Sequence, residues 1–188
     1  MTKLQTLPMY VDNIFSIPLI RTEVNNWQSK KEKILNQCKD LKISGKEFVE
    51  TNFHYNLENK NLSQDMMNIE EILKEELDEF QHNLGYKIKV NGSWIERSID
   101  GMNHEIHNHG QIGYSAACFV TFDPAIHTPT HFIAPFNHVI DGSIIKHTPE
   151  NITEGTIIFF PSMLLHYTTP NFSPKERIVL SFNLITLN

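Results

Sequence analysis

The segment Gly101-Met102-Asn103-His104-Glu105-Ile106-His107-Asn108-His109-Gly110 sets three imidazoles and a carboxylate in close succession. Further on, His166 ends the run Phe160-Pro161-Ser162-Met163-Leu164-Leu165-His166, and Arg177 heads an apolar stretch that reaches Leu187. Neutral imidazole is the commonest protein ligand for transition metals. On an extended strand alternate side chains share a face. Glu105, His107 and His109 are therefore expected on one face, with His104, Ile106 and Asn108 on the other. Two imidazoles from one strand and a third from a distant one cap one side of an ion and leave positions open. That arrangement suits Fe(II) or a similar ion that must also admit substrate and dioxygen. Glu105, on the same expected face, is an alternative acid ligand.

His166 follows a buried-strand pattern, Gly155 to Phe160, stopped by Pro161, so a rigid element fixes its position. In the last strand Arg177, Val179, Ser181 and Asn183 share one face, and Ile178, Leu180, Phe182 and Leu184 the other. An arginine turned inward is costly unless an anion meets it. A guanidinium offers a forked, bidentate match to a carboxylate. That carboxylate is either a bound ligand or an ordinary Asp/Glu partner at the strand end.

These side chains need a scaffold, and 188 residues suffice for one domain with a sizeable hydrophobic core. The net charge of −6 argues against general nucleic-acid or acidic-membrane binding, which calls for a cationic surface. Cys38 and Cys118 form no C-x-x-C pair, and Cys118 lies in an apolar run, as expected of buried free thiol in a reducing compartment. The start Met-Thr-Lys-Leu-Gln-Thr-Leu-Pro lacks the apolar region of a signal peptide. No apolar run approaches the ~20 residues needed to span a bilayer. A cytoplasmic protein is expected. Eight of the ten histidines fall between His104 and His166, a crowding that asks for a reason in a residue that is the commonest metal ligand.

Along the chain, Tyr10 to Val24 reads as a strand that Pro18 demotes to a sheet edge. A helix is expected from Asn25 or Asn26 to about Leu41, with Trp27, Ile34, Cys38 and Leu41 on its apolar stripe. A polar loop follows to about Leu62, with a short strand near Glu47–Phe53. A second helix starts at Ser63, carries Met66, Ile69, Leu73, Leu77, Phe80 and Leu84 on one stripe, and ends at Gly85. After it the texture changes to short strands: Tyr86–Val90, Ser93–Ile99, Asn103–His109, Ser115–Phe122, Thr156–Phe160 and Arg177–Leu187. Many strands without helical signals between them indicate an antiparallel sandwich or barrel. The chain thus reads as one domain, mainly β with N-terminal helices (α+β). Residues 1–85 support the sheet, and 86–188 form the core with a lid insertion at about 123–151.

Taken together, His107-x-His109, Pro161-Ser162-x-Leu164-x-His166 and Glu176-Arg177-Ile178-x-x-Ser181-Phe182-Asn183 resemble the 2-oxoglutarate/Fe(II)-dependent oxygenases. The likeness is to the group often encoded by phages and bacteria, and it covers about residues 94–183. The resemblance implies a double-stranded β-helix (jelly roll, cupin-like) with the helices packed on one sheet. It implies Fe(II) held by His107, His109 and His166, and Arg177 gripping the distal carboxylate of 2-oxoglutarate. Asn183, Tyr114 and Tyr167 become candidates for hydrogen bonds around metal or co-substrate. The activity implied is hydroxylation of a small-molecule or peptidyl substrate by dioxygen, in the host cytoplasm if the protein is phage-encoded, with a homodimer left open. Two positions depart from the wider superfamily. His109 stands where a carboxylate ligand is usual, and Val179 where a serine commonly assists the arginine.

Two other readings use the same residues. Gly101-x5-His107-x-His109 and Gly155-x5-Pro161-x-Met163-x2-His166 approach the cupin motifs, although the glutamate after His109 is missing and Met163 replaces a glycine. A three-histidine cupin-type dioxygenase or isomerase would work without 2-oxoglutarate and would not need Arg177. A non-catalytic jelly-roll binding or accessory protein would need neither.

Overall fold

The computed structural model describes residues 16–44, 48–58 and 68–187. The expected strand residues before position 16, the Ser63 cap and Met66 lie outside the described residues. Helices α1 (Trp27–Cys38), α2 (Asn52–Glu58), α3 (Ile69–Ile72) and α4 (Lys74–Leu84) precede most of the strands, with β1 (Ile20–Glu23) and β2 (Glu50–Thr51) among them. The strands β3 (Lys87–Ser98), β4 (Tyr114–Thr121), β5 (His131–Asn137), β6 (Ile144–His147), β7 (Thr156–Pro161), β8 (Leu165–Tyr167) and β9 (Arg177–Leu187) follow. They form a six-stranded sheet in the order β1-β7-β4-β9-β3-β2 and a three-stranded sheet in the order β6-β5-β8. Every pairing is antiparallel.

The period-two pattern decides which way each strand faces. On one side of the large sheet Leu180, Phe182, Leu184, Cys118, Val120, Ile157 and Phe159 pack against Ile34, Ile69, Leu73, Leu77 and Phe80 of the helices. On the other, Val179, Ala117, Phe119, Ile158 and Phe160 meet Phe132, Ile152 and Leu164 on the small-sheet side. Phe119, Phe159, Phe160 and Phe182 are fully buried, each worth roughly 1.5–3 kcal/mol of transfer free energy. A one-residue slip of β9 would exchange the two faces and expose this set, so the register is pinned. The result is the jelly roll with helices on one sheet only.

Several expectations change in detail. The second helix is broken at Leu73 (φ −104, ψ 27), which is wholly buried between α3 and α4. It ends as expected at Gly85 in the left-handed region (φ 76), whose N–H donates to the Gln81 carbonyl. Asn26 precedes α1 in a left-handed conformation and makes no side-chain cap. The two strands expected around Asn91-Gly92 are one strand, β3, because the break is a register shift between Val90 and Gly92 that inserts Asn91. The stretch 123–151, expected as a lid, supplies β5 and β6 of the small sheet. Its Pro and Thr content reads as turn and loop, although Phe132, Ile133 and Phe136 lie in β5 and Ile144 and Ile145 in β6. β1 does lie at a sheet edge, after Pro18. Among the described residues no helix is long and apolar enough to cross a membrane.

Candidate metal centre

Residues 102–107 run alongside β8 without becoming a regular strand. Asn171 donates its N–H to the Met102 carbonyl, Thr168 to His104, and His166 to His107, while the N–H of His107 returns to His166. Between the second and third of these contacts the 102–107 segment advances three residues and β8 only two. That extra residue is a β-bulge. It carries His104 round to the face of His107, against the alternation expected from sequence, and leaves Glu105 exposed.

His107, His109 and His166 each offer a ring nitrogen, and these atoms lie within 4.8 Å of one another. The Nε2 atoms of His109 and His166 are 3.1 Å apart, close to the ~3.0 Å between two cis nitrogens each ~2.1 Å from one ion. Nδ1 of His107 lies 2.7 Å from the Glu105 carbonyl, and Nδ1 of His166 lies 2.9 Å from that of Leu164. A carbonyl only accepts, so both Nδ1 atoms carry the proton and both Nε2 atoms present a lone pair. Burial, then the neighbouring His107, pushes the pKa of His109 down to about 4 and that of His166 down to about 3. Both are neutral at pH 7, as a metal ligand must be. The backbone of His109 is fixed in turn, its N–H donating to the Ser162 carbonyl.

Arg177 is buried at 4 % exposure on the inter-sheet face of β9, with its guanidinium 5.8 Å from the centre of the Phe119 ring. Among the described residues its Nε and Nη2 have no hydrogen-bond partner and no carboxylate pairs with it. Burial lowers its pKa to about 10, opposed by Glu96, so it stays charged. The ordinary strand-end bridge considered from sequence is thus not what meets it. The donor set fits a divalent metal with a bound carboxylate. Three ring nitrogens converge on one side, and a buried cation is set back with two donors to spare.

The other sequence candidates are placed differently. Glu105 is exposed and outside the nitrogen cluster. Tyr114 lies on the helix side of the large sheet, its ring edge-on to Phe80 at 5.3 Å. Asn183 shares the face of Arg177 but lies six residues along β9, roughly 20 Å away. Its Oδ1 accepts from Ser115 Oγ, which contacts Ser162 Oγ, so it braces the turn that carries His109. The Tyr167 ring stacks on His131 at 5.0 Å and lies beneath the Lys146 ammonium. Of the histidines in 123–151, His127 is buried and accepts the Asp123 N–H at Nδ1, whereas His138 and His147 are exposed.

Sequence reasoning missed Glu96. Its carboxylate is buried at the inward position of β3 and is reached by Trp94 Nε1 (2.9 Å), Ser181 Oγ (2.7 Å) and His104 Nδ1 (3.1 Å). Burial would raise its pKa, but His104 and Ser181 hold it well below the usual range. Burial likewise disfavours charge on His104, but Glu96 outweighs it and holds His104 above the ordinary imidazole value. No local signal marked it, since it alternates with Trp94 and Ser98 in a strand that also carries Lys87, Lys89, Asn91 and Arg97. Together with the four histidines, Thr130, Thr168 and Val179, Glu96 lines a cavity of about 20 Å³. That is space for about one water molecule, so seating an oxoacid requires side chains along this wall to move. A larger apolar cleft of about 390 Å³ opens beyond Phe132 and Leu164 and contains none of the nitrogen cluster.

Residues 92–183 match the family described as "Putative 2OG-Fe(II) oxygenase". No curated protein matches the chain in sequence. Among solved structures, the non-haem α-ketoglutarate-dependent epimerase SnoN from nogalamycin biosynthesis is similar at 11% identity and a TM-score of 0.67, covering 90% of this chain and 78% of that one. The viral collagen prolyl hydroxylase of Paramecium bursaria Chlorella virus-1 is 12% identical with a TM-score of 0.58, covering 90% and 96%. A Pseudomonas putida prolyl-4-hydroxylase is 11% identical with a TM-score of 0.53, covering 92% and 95%. At such identities these structures speak for the shared fold. The family match spans the histidine cluster, Glu96 and Arg177, and residues 92–183 of this chain are similar to a 2-oxoglutarate/Fe(II) oxygenase domain.

Proposed function

We propose that this protein is an Fe(II)- and 2-oxoglutarate-dependent oxygenase that hydroxylates a small-molecule or peptidyl substrate. His107, His109 and His166 hold the iron through Nε2, and Arg177 receives the distal carboxylate of 2-oxoglutarate. The single observation that carries this reading is Arg177, a buried charged guanidinium with unpartnered Nε and Nη2 on the face of the large sheet that meets the small one. A three-histidine centre working without an oxoacid would leave that charge without an anion, at a cost of several kcal/mol.

Iron with 2-oxoglutarate supplies dioxygen activation coupled to oxidative decarboxylation of the oxoacid. The chain's own residues do the rest. The Glu105 and Leu164 carbonyls hold the Nδ1 protons of His107 and His166, which fixes the tautomers. Arg177 orients a dicarboxylate by charge and fork geometry. Phe160, Val179 and Ala117 on the cavity wall exclude water. Val179, in the place of a helper serine, offers that carboxylate no hydroxyl.

The test is succinate release from 2-oxoglutarate by the purified protein with Fe(II), ascorbate and dioxygen. Slow release without substrate, accelerated by individual members of a metabolite and peptide panel, supports the reading. Release that does not depend on Fe(II), or none with any panel member, counts against it.

A further inference from the structure

The segment that carries His107 and His109 is irregular and half exposed, so its backbone alone does not fix two imidazole rings. What lies behind those rings is aromatic. The Trp94 indole stacks on His109 at 5.2 Å between centroids and 29° between planes. His104 stacks on His107 at 3.9 Å and 25°. One carboxylate ties both backing rings together. Glu96 Oε1 accepts from the indole N–H and from Ser181, and its Oε2 faces His104 Nδ1. Trp94 and Glu96 sit two positions apart on β3, which pairs along its length with β9. The clamp is therefore built on a strand held by a long antiparallel ladder.

We propose that Glu96 is the positioning residue of the metal centre: its carboxylate sets Trp94 and His104 as a two-ring wall against which His109 and His107 take their ligating orientations, with its negative charge standing behind the cation. The proposal rests on the reading that the histidine triad holds a divalent metal. A buried carboxylate is expensive to keep, and Arg177 does not pair with it. Every hydrogen bond Glu96 makes instead ends on a ring that backs a proposed ligand, or on the strand beneath. Groups that orient ligands in this way typically contribute 10–100-fold to metal affinity.

The test is Co(II) binding to the full chain, read by affinity against a competing chelator and by the visible d–d spectrum. Glu96→Gln keeps an oxygen for Trp94 and Ser181 but removes the charge and the acceptor for His104. It is expected to bind Co(II) 10–100-fold more weakly, with a shifted d–d envelope that a purely structural role would not produce. His104→Gln retains a donor for Glu96 while removing the ring behind His107, at a side chain only partly buried. It is expected to shift the spectrum in the same direction, and it carries the test should Glu96→Gln fail to fold. A wild-type spectrum and affinity in whichever of the two folds would overturn the proposal. Absence of Co(II) binding by the wild-type chain would instead refute the metal reading itself, and this proposal with it.

Discussion

The Nε2 atoms of His109 and His166 face each other at 3.1 Å although 57 positions separate them in sequence. Three hydrogen bonds close that gap, one from the His109 N–H to the Ser162 carbonyl and two exchanged between His107 and His166 along the bulged pair. The convergence is a property of the sheet, so removing one ring should leave the scaffold standing. His166→Ala is expected to lower iron affinity more than about 100-fold, beyond what outer partners alone contribute. The unfolding midpoint of the metal-free protein should change by only a few degrees. Calorimetry and metal analysis of the dialysed variant check both.

Glu105 and His109 competed for the third ligand position in the sequence, and their placement separates them. Glu105→Ala, at an exposed position, is expected to bind iron like the wild type. His109→Ala is expected to lose most of its affinity. Equal losses in the two variants, measured by chelator competition, would mean that Glu105 swings inward.

Arg177 is expected to trade stability for binding. Arg177→Met removes a buried charge and two unpartnered donors while filling similar space, which should stabilise the ligand-free protein by about 1–3 kcal/mol. The same variant should lose the stabilisation that 2-oxoglutarate confers on the wild type in the presence of a divalent metal. Thermal melts with and without the oxoacid give both numbers. A destabilised variant would indicate an anion partner for Arg177 in the protein itself.

The antiparallel sandwich and the two faces of β9 were legible from alternation, the edge position of β1 from Pro18, and the jelly roll from the resemblance of the histidine and arginine motifs. The spacing of His107, His109 and His166 could also be read. The positions of His104 and Glu105 could not, since a one-residue bulge reverses facing and depends on contacts with β8 distant in sequence. Asn183 shares a face with Arg177, yet strand length puts it in the service of Ser115. Tyr114 shows the same limit, for its parity on β4 sends it to Phe80. Glu96 escaped notice because nothing local reveals that Trp94, His104 and Ser181 will meet around it.

Metal-free protein should lose stability in mild acid. The folded pKa values of His109 and His166, about 4 and about 3, lie below the ordinary imidazole value. Below about pH 6.5 the unfolded chain therefore binds protons that the folded chain does not, and stability falls with pH. His104, with its raised pKa, works in the opposite sense, but its contribution is complete below about pH 6.5 and is lost as pH rises from there through its folded value. Urea unfolding of the apo-protein at pH 7, 6 and 5 should give successively lower midpoints. The decline should be blunted in His166→Ala.

The most direct measurement is the visible spectrum of the anaerobic protein with Fe(II) and 2-oxoglutarate. The account predicts a weak charge-transfer band that needs both components, is absent in His166→Ala and is lost or weakened in Arg177→Ala. An Fe(II) complex whose spectrum is unchanged by 2-oxoglutarate would contradict it.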